Sequence, residues 1–565
     1  MTKNKGFTLV ELLAVIVILA IILAIAIPGI SGIIKSATRG AFESDAKMVL
    51  QQLEYEKLRD DSFVVETTSI ETISDFNLSN ANYEDLRVGI IGNEPYIVII
   101  GKNKWKDLKA CGTIKNIALV PIDDTTICED IPGANPDFDM AQGLNKPELV
   151  SGMIPVYYDE TETVWKKASQ TNVTNNWYNY STGKWANVVT VTTVTRAAYQ
   201  SAAVGTTILE ADVLTYFVWI PRYKYLIPAG TGAREISVTF EATSTSKSNG
   251  DAVATYYTHP AFTFGSEELN GIWVGKFETT GTITAPTIKP DTSSIKSQTV
   301  KAMYDSVKTY MQGNVTYGFT NDNDIHMMKN MEWGAVAYLT GSRYGKYGNS
   351  SYAGTNKELY MNNSSSYITG RSSGAVSGSG VLTPANGYIS AGYYTYDGKC
   401  ASIYAGLAAP CTTGSAGQTL TDKTLAYGAS TTGSIYGIYD MSGGAWEYVM
   451  GVYEPNPIPA TGIDDASGYS LTTTNSQYNS LTINNKYYDR YLTNLTETGA
   501  ILGDATKETS GWYGDYANFV CSGAPWFVRG GDCSHGVSAG AWDFDIGSGG
   551  VYSNFSFRVV LGPQA

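Results

Sequence analysis

From Phe7 to Ile34 the chain is apolar except for one charge, Glu11. About 20 such residues are enough for a helix to cross a bilayer. Pro28, followed by Gly29 and Gly32, interrupts the helical ladder in mid-span, which is tolerated where neighbouring helices re-satisfy the freed backbone groups. Beyond it Ala46, Val49, Leu50 and Leu53 recur at helical spacing between Glu43, Asp45, Lys47 and Glu54. That stripe predicts a helix running to about Arg59, packed on a small sheet. The runs YIVIIG (96–101) and IALVPI (117–122) supply strands for it. The stretch 131–150 is rich in Pro, Gly and Asn, has no period, and reads as a linker. Over 151–200 strand-like runs carry Trp165, Trp177 and Trp185 around the turn Ser181-Thr182-Gly183, predicting a β-hairpin spacer with strand-face tryptophans. From 201 to 565 short aromatic strands, a Met-rich amphipathic helix over 326–340 and long Gly, Ser and Asn loops predict an α+β domain. The whole reads as an α+β multidomain chain.

At 565 residues several domains are expected. A net charge of -14 and a pI near 4.8 argue against a nucleic-acid partner, which needs clustered Lys and Arg to release phosphate counterions. The 40 Tyr and 58 Gly suit an exported protein of strands and loops. The cysteines fall into three local pairs, Cys111 with Cys128, Cys400 with Cys411, and Cys521 with Cys533. None has zinc-like spacing, so disulfides are the expectation outside the cytoplasm. With only His259, His326 and His535 in the chain, candidate general bases are few.

Three readings compete for the amino terminus. A secretory signal would use Lys3 and Lys5 as its basic region and Ala24-Ile25-Ala26 as a cleavage site, but the apolar run exceeds the usual ~7–15 residues. A plain anchor leaves Glu11 in hydrocarbon at about 2.5–3.5 kcal/mol. The stretch Lys5-Gly6-Phe7-Thr8-Leu9-Val10-Glu11 closely resembles the type IV prepilin signal. That resemblance implies cleavage after Gly6 by a prepilin peptidase, methylation of Phe7, and pairing of Glu11 with the Phe7 ammonium of a neighbouring pilin subunit. It implies a leader over 1–6 and a pilin helix and β head over 7–130. It also implies a membrane-inserted precursor that ends on an extracellular pilus. An opposite charge in low dielectric is what such an acid requires.

FVWIPRYKY at Phe217, GIWVGKFETTG at Gly271, HMMKNMEWGAVAYL at His326, GIYDMSGGAWEYV at Gly437, RGG at Arg529 and FRVVL at Phe557 form an ordered set. It resembles the formylglycine-generating or sulfatase-modifying family, which has a C-type-lectin-like fold. The family's catalytic members hold copper with two cysteines after the RGG, as soft thiolates select Cu(I). Here only Cys533 follows it, so no catalytic residue is assigned and the chain is expected not to be an enzyme. Gly444 stands where many members have the Asn of a calcium site, so no cofactor is assigned and calcium stays open. NDND over 321–324 lacks the Gly of an EF-hand loop and reads as a solvated turn.

Within the tail, 529–561, Arg529, Gly530 and Gly531 at one end and Phe557, Arg558 and Val559 at the other read as frame, together with Trp446. Between them Asp532, Cys533, Ser534, His535, Val537, Asp543, Asp545, Ser548, Val551, Ser553 and Asn554 show no periodic apolar pattern. This arrangement resembles the variable proteins of diversity-generating retroelements, whose lectin-like domains end in RGG, a variable stretch and FRVVL. There, rewriting at adenines of AAY codons yields residue types such as these but not Trp. Trp542 departs from the pattern as a frame residue or a solvent-facing hot spot. The resemblance implies a surface-displayed adhesin or receptor for a protein or glycan. A fixed adhesin or minor pilin, or pseudopilin, at a filament tip and an exported enzyme with Cys521 and Cys533 as its best case are the alternatives.

Replacing Gly6 by a bulky residue is expected to leave the leader attached, seen as a larger band on an immunoblot. Glu11→Ala is expected to be cleaved normally and fail to assemble. Normal assembly of Glu11→Ala would refute the pairing role.

Overall fold

The computed structural model describes residues 13, 17, 37–55, 76, 78, 81–91, 94–106, 108–121, 138–139, 142–172, 176–241, 256–352, 357–373, 393–401, 411, 416–454, 466–469, 483–492 and 502–562. They divide into two compact units, Met1–Gly143 and Leu144–Ala565.

In the first unit, a helix over 37–55 buries Phe42, Ala46, Val49, Leu50 and Leu53, the face the sequence stripe predicts. It packs on a four-stranded antiparallel meander in chain order, Tyr83–Ile91, Glu94–Gly101, Leu108–Thr113 and Asn116–Pro121. Leu86, Val88, Ile97, Ile99 and Ala110 face the helix, and each such burial contributes about 1.5–3 kcal/mol for a Val, Leu or Ile side chain. The Phe42 ring lies 5.8 Å from both Tyr83 and Trp105, and the Tyr83 hydroxyl donates to Asp45 on the helix. Cys111 is disulfide-bonded, while its expected partner Cys128 lies outside the described residues. Among the described residues no helix is long and apolar enough to cross a membrane. Of the 7–34 run only Leu13 and Val17 are described, both helical and exposed.

The second unit centres on a seven-stranded, wholly antiparallel sheet. Its order is Asp324–Met327, Val559–Gly562, Gly271–Gly275, Val213–Pro221, Asn187–Val191, Met153–Asp159 and Val164–Lys167. A second, mixed sheet is built on Trp446–Tyr453. Along one edge it pairs antiparallel with Trp526–Arg529, which pairs in turn with Phe544–Gly547; Phe555–Phe557 and Asp489–Tyr491 run parallel to it.

Two sequence expectations are corrected here. Residues 151–200 are not a separate spacer, because three of their strands are the end of the seven-stranded sheet. Nor does the linker extend to 150. Leu144 and Asn145 are fully buried in the second unit, where the Asn145 amide donates to the Glu241 and Asn270 carbonyls at 3.1 and 2.9 Å. Irregular backbone can be buried when its polar groups are paired this way, and composition does not report the pairing. Trp165, Trp177 and Trp185 are core residues, as read; the Trp177 and Trp185 indoles donate to the Asn187 and Tyr344 carbonyls, both at 2.8 Å.

The helix expected over 326–340 is a strand, Asp324–Met327, followed by the helix Asn330–Thr340. That helix is buried on every side rather than amphipathic. Its one acid, Glu332, is consumed locally, accepting the Lys329 N–H at 2.8 Å as an N-terminal cap and facing His326 Nε2 at 3.0 Å.

A chain beginning at Leu144 is expected to fold alone with one cooperative thermal transition, read from near-UV circular dichroism. A chain beginning at Ser201, lacking three strands of the sheet, is expected to lose that transition. Equal stability of the two would refute the single-sheet assignment.

Candidate functional site

The tail leaves the core and returns to it through two sheets. Arg529 ends the Trp526–Arg529 strand, whose partner Phe544–Gly547 brings the chain back along it. Phe555–Phe557 then joins the second sheet, and Val559–Gly562 threads between Gly271–Gly275 and Asp324–Met327 of the first.

Arg558, at the hand-over, is fully buried. Its guanidinium meets Glu447 through both Nε, at 3.0 Å, and Nη2, and donates to the Gly275 and Tyr439 carbonyls at 2.9 and 3.0 Å. Burial pushes the Glu447 carboxyl upward and Arg558 pulls it back, so that the pair holds its charges only together. Two more acids adjoin this pair. Asp440 accepts from Asn362 Nδ2 at 2.8 Å and the Gly370 N–H at 2.9 Å, and Glu278 from the Ala445 N–H at 2.8 Å and the Ser294 hydroxyl. Burial first, then the charges of Asp440 and Glu447, drive Glu278 well above the carboxylate range. Gly444 is explained by the same cluster. Its φ is +76°, and a Cβ there would lie 2.3 Å from Glu278 Oε1, so the position takes no side chain at all.

Arg529 is likewise buried, with its guanidinium over Trp333 and Phe544 and its Nη2 donating to the Ala505 carbonyl at 3.0 Å. After it, Gly531 turns at φ +73°, where a Cβ would meet Ala539 and Asp543. Phe557 and Val559 are fully buried and Trp446 nearly so.

Between these anchors the side chains divide. Ser534, Val537, Val551 and Ser553 are exposed, and His535, Asp545, Ser548 and Asn554 are half-buried. Two stretches distant in the tail meet. Asp532 Oδ1 accepts the Ser534 N–H and hydroxyl at 2.8 and 2.7 Å, and its Oδ2 accepts from Asn554 at 2.7 Å. The His535 ring stands edge-on to Trp446 at 4.8 Å; Trp446 adjoins Phe555, Phe555 adjoins Tyr552, and the Tyr552 hydroxyl meets Ser548 Oγ at 3.0 Å. Residues 534–537 and 548–555 thus line one surface, with Asp532 tying the two stretches together from behind.

Four of the expected contact residues lie behind that surface. Trp542 is buried against Trp512 and Tyr338 at 4.9 and 5.9 Å, so it is core rather than a solvent-facing hot spot. Asp543 is fully buried, Asp532 is consumed in holding the two stretches together, and Cys533 packs with its N–H on the Gly444 carbonyl at 2.8 Å. Two exposed tyrosines absent from the sequence reading belong to the face. Tyr552 lies inside the tail; Tyr516, 6.1 Å from the His535 ring, lies upstream of the RGG, where no local pattern marks it.

Cys400 and Cys411 are joined, with Cα atoms 5.6 Å apart, as expected. Cys521 and Cys533 are both free, which corrects the third pair. Cys521 closes a tight turn on Ala524 while Cys533 is buried, where loss of solvent pushes its thiol up to about 11. Such a thiol is a poor nucleophile. His259 is buried among Tyr223, Tyr225 and Tyr338, and burial pushes it down to about 3. The expected solvated turn at 321–324 ends instead in Asp324, which pairs with Lys308 and Lys486 at 3.2 and 2.9 Å. Among the described residues no cluster of three or more His, Cys, Asp or Glu is arranged to hold a metal ion.

Gly6, Phe7, Glu11 and Pro28 lie outside the described residues. The sequence around them has a known counterpart. Residues 1–27 match the prokaryotic N-terminal methylation motif. The chain therefore carries a type IV pilin-like prepilin signal, as found on membrane-anchored precursors that are processed by a peptidase and assembled with pilin subunits at the cell surface. No curated protein matches the chain.

Arg558→Met is expected to cost the second unit about 3–5 kcal/mol by stranding Glu447, whereas Val551→Ala and Ser553→Ala should stay within about 0.5 kcal/mol. Chemical denaturation of the Leu144–Ala565 unit followed by tryptophan fluorescence reads both. Equal effects would refute the division between frame and face.

Proposed function

We propose that this chain is a pilin-type surface protein that binds a ligand, a protein or a glycan, through the face formed by 534–537 and 548–555. In this reading the second unit is a C-type-lectin-like domain related to the formylglycine-generating family. It acts in binding rather than catalysis, and a retroelement rewrites its tail. The observation that carries the proposal is the sorting of side chains between Arg529 and Arg558. The frame is buried in two sheets, while Ser534, Val537, Val551, Tyr552 and Ser553 are exposed without holding any strand. Substitution at such positions usually changes stability by less than about 0.5 kcal/mol, which is what repeated rewriting needs. Aromatic and small hydroxyl residues also give adaptable contacts at low entropic cost. Asp532, Cys533, Trp542 and Asp543 drop out of the contact set because their side chains are interior.

The test is deep sequencing of the coding region for Arg529 to Arg558 across sibling cells, with its flanking DNA. Substitutions concentrated at the codons of the exposed residues, beside a near-copy repeat and a reverse transcriptase gene, are the expected result. A uniform tail without such a repeat would overturn diversification and leave a fixed adhesin or a minor pilin.

A further inference from the structure

The loop that carries Tyr516 is docked on the tail along a seam. The Tyr516 N–H donates to the Ser538 carbonyl at 3.0 Å, the Phe544 N–H to Tyr516 at 3.1 Å and the Asn518 N–H to Phe544 at 2.9 Å, while the Trp542 N–H reaches Asp515 Oδ2 at 3.0 Å. The loop has hinge geometry at its start. Gly511, Tyr513 and Gly514 all have positive φ, +71°, +58° and +95°, and for a tyrosine that conformation is strained.

Behind the seam sit three buried carboxyl groups with oxygens that accept no hydrogen bond: both of Asp543, both of Glu358, and Oδ1 of Asp515. Glu358, Lys357, Tyr513 and Trp542 also border a small cavity at this point. The cations nearby are committed elsewhere. Arg529, which faces Asp515 and Asp543, gives its hydrogen bonds to Asn330 and to backbone carbonyls. Lys346 bonds the main-chain oxygens of Glu358 and Gly428, and Lys357 that of Tyr347. The remaining charged neighbours of Asp543, Asp545 and Asp532, are acids, and the Tyr513 hydroxyl faces Glu358 and Asp515. Of these three buried carboxyl groups Asp515 and Asp543 face Arg529 and Glu358 faces Lys346, while the Asp515 charge opposes ionisation of both Glu358 and Asp543. They are not arranged as a metal-ligand set.

We infer that Glu358, Asp515 and Asp543 form a proton-held latch, which keeps the 511–518 loop closed on the 538–544 segment at acid and neutral pH and releases it as the pH rises. Burial pushes Glu358 up to about 9 and Asp515 up to about 8, and burial reinforced by the Asp515 charge raises Asp543. In the open loop these groups return to the ordinary carboxylate range. Closure is therefore fully favoured below that range and weakens as the pH climbs through the raised values, by about tenfold per pH unit for each proton lost only on opening. Tyr516 and Val537 lie on the outer side of the seam, so opening would remodel the face assigned above to ligand binding. The latch itself does not depend on that assignment.

Amide hydrogen exchange on the full chain in detergent micelles tests it, with each rate divided by the intrinsic rate at that pH. Protection over 511–518 and 538–544 is expected to fall at least about tenfold between about pH 6 and pH 9, while the Gly271–Gly275 strand stays constant. In a Glu358→Gln, Asp543→Asn variant the fall should shrink by about tenfold or more. If that variant does not fold, Glu358→Gln alone should move the midpoint. Constant protection in the parent protein, an unchanged fall in the double variant, or an unmoved midpoint in the single one would overturn the inference. So would abolition of the fall by calcium chloride, which would mean that the carboxylates hold a cation instead of protons.

Discussion

The second unit depends on the buried pair between Arg558 and Glu447. One guanidinium joins the Trp446–Tyr453 strand, the end of the Gly271–Gly275 strand and the loop at Tyr439, and it does so at the point where the tail passes from one sheet into the other. In an interior, a charge so placed is tolerable only because every neighbour answers it. Glu447 takes two of its hydrogen bonds, the Gly275 and Tyr439 carbonyls take two more, and the adjoining acids Asp440 and Glu278 accept from amides and a hydroxyl. Gly444 follows from the same crowding, since Glu278 occupies the space that a side chain would need.

Because the anchoring is done at the two ends, the tail between them is free of structural duty over much of its length. Asp532 and Asn554 tie the two exposed stretches into one surface, and Trp542 holds the intervening chain to the core between Trp512 and Tyr338. A tail built this way can change its outward side chains without touching either sheet. Trp542 is excepted, since its side chain is packed in the core. Docking a loop against this tail leaves both carboxylate oxygens of Asp543 and of Glu358, and Oδ1 of Asp515, without hydrogen-bond partners.

The two units hold different features of the chain. The helix over 37–55 and its four-stranded meander follow the prepilin signal along the chain, and the antiparallel sheet from Leu144 onward carries the candidate face. Residues 1–27 match the N-terminal methylation motif, whereas the candidate face is marked out by burial and geometry.

Local pattern determined a good deal by itself. The prepilin signal is a short contiguous string, and the stripe of Ala46, Val49, Leu50 and Leu53 is a helical period. Cys400 and Cys411 paired as their proximity suggested. What only the tertiary structure decided involves partners far apart in sequence. Residues 144–200 are joined to the main sheet by strand pairing, the Asn330–Thr340 helix is covered on all sides, and Cys521 stays apart from Cys533. Trp542 and Asp543 face inward while Tyr516 joins the face from upstream. A residue's type states its preference for water or the interior, but which neighbours satisfy that preference is set by long-range packing, which no local window contains.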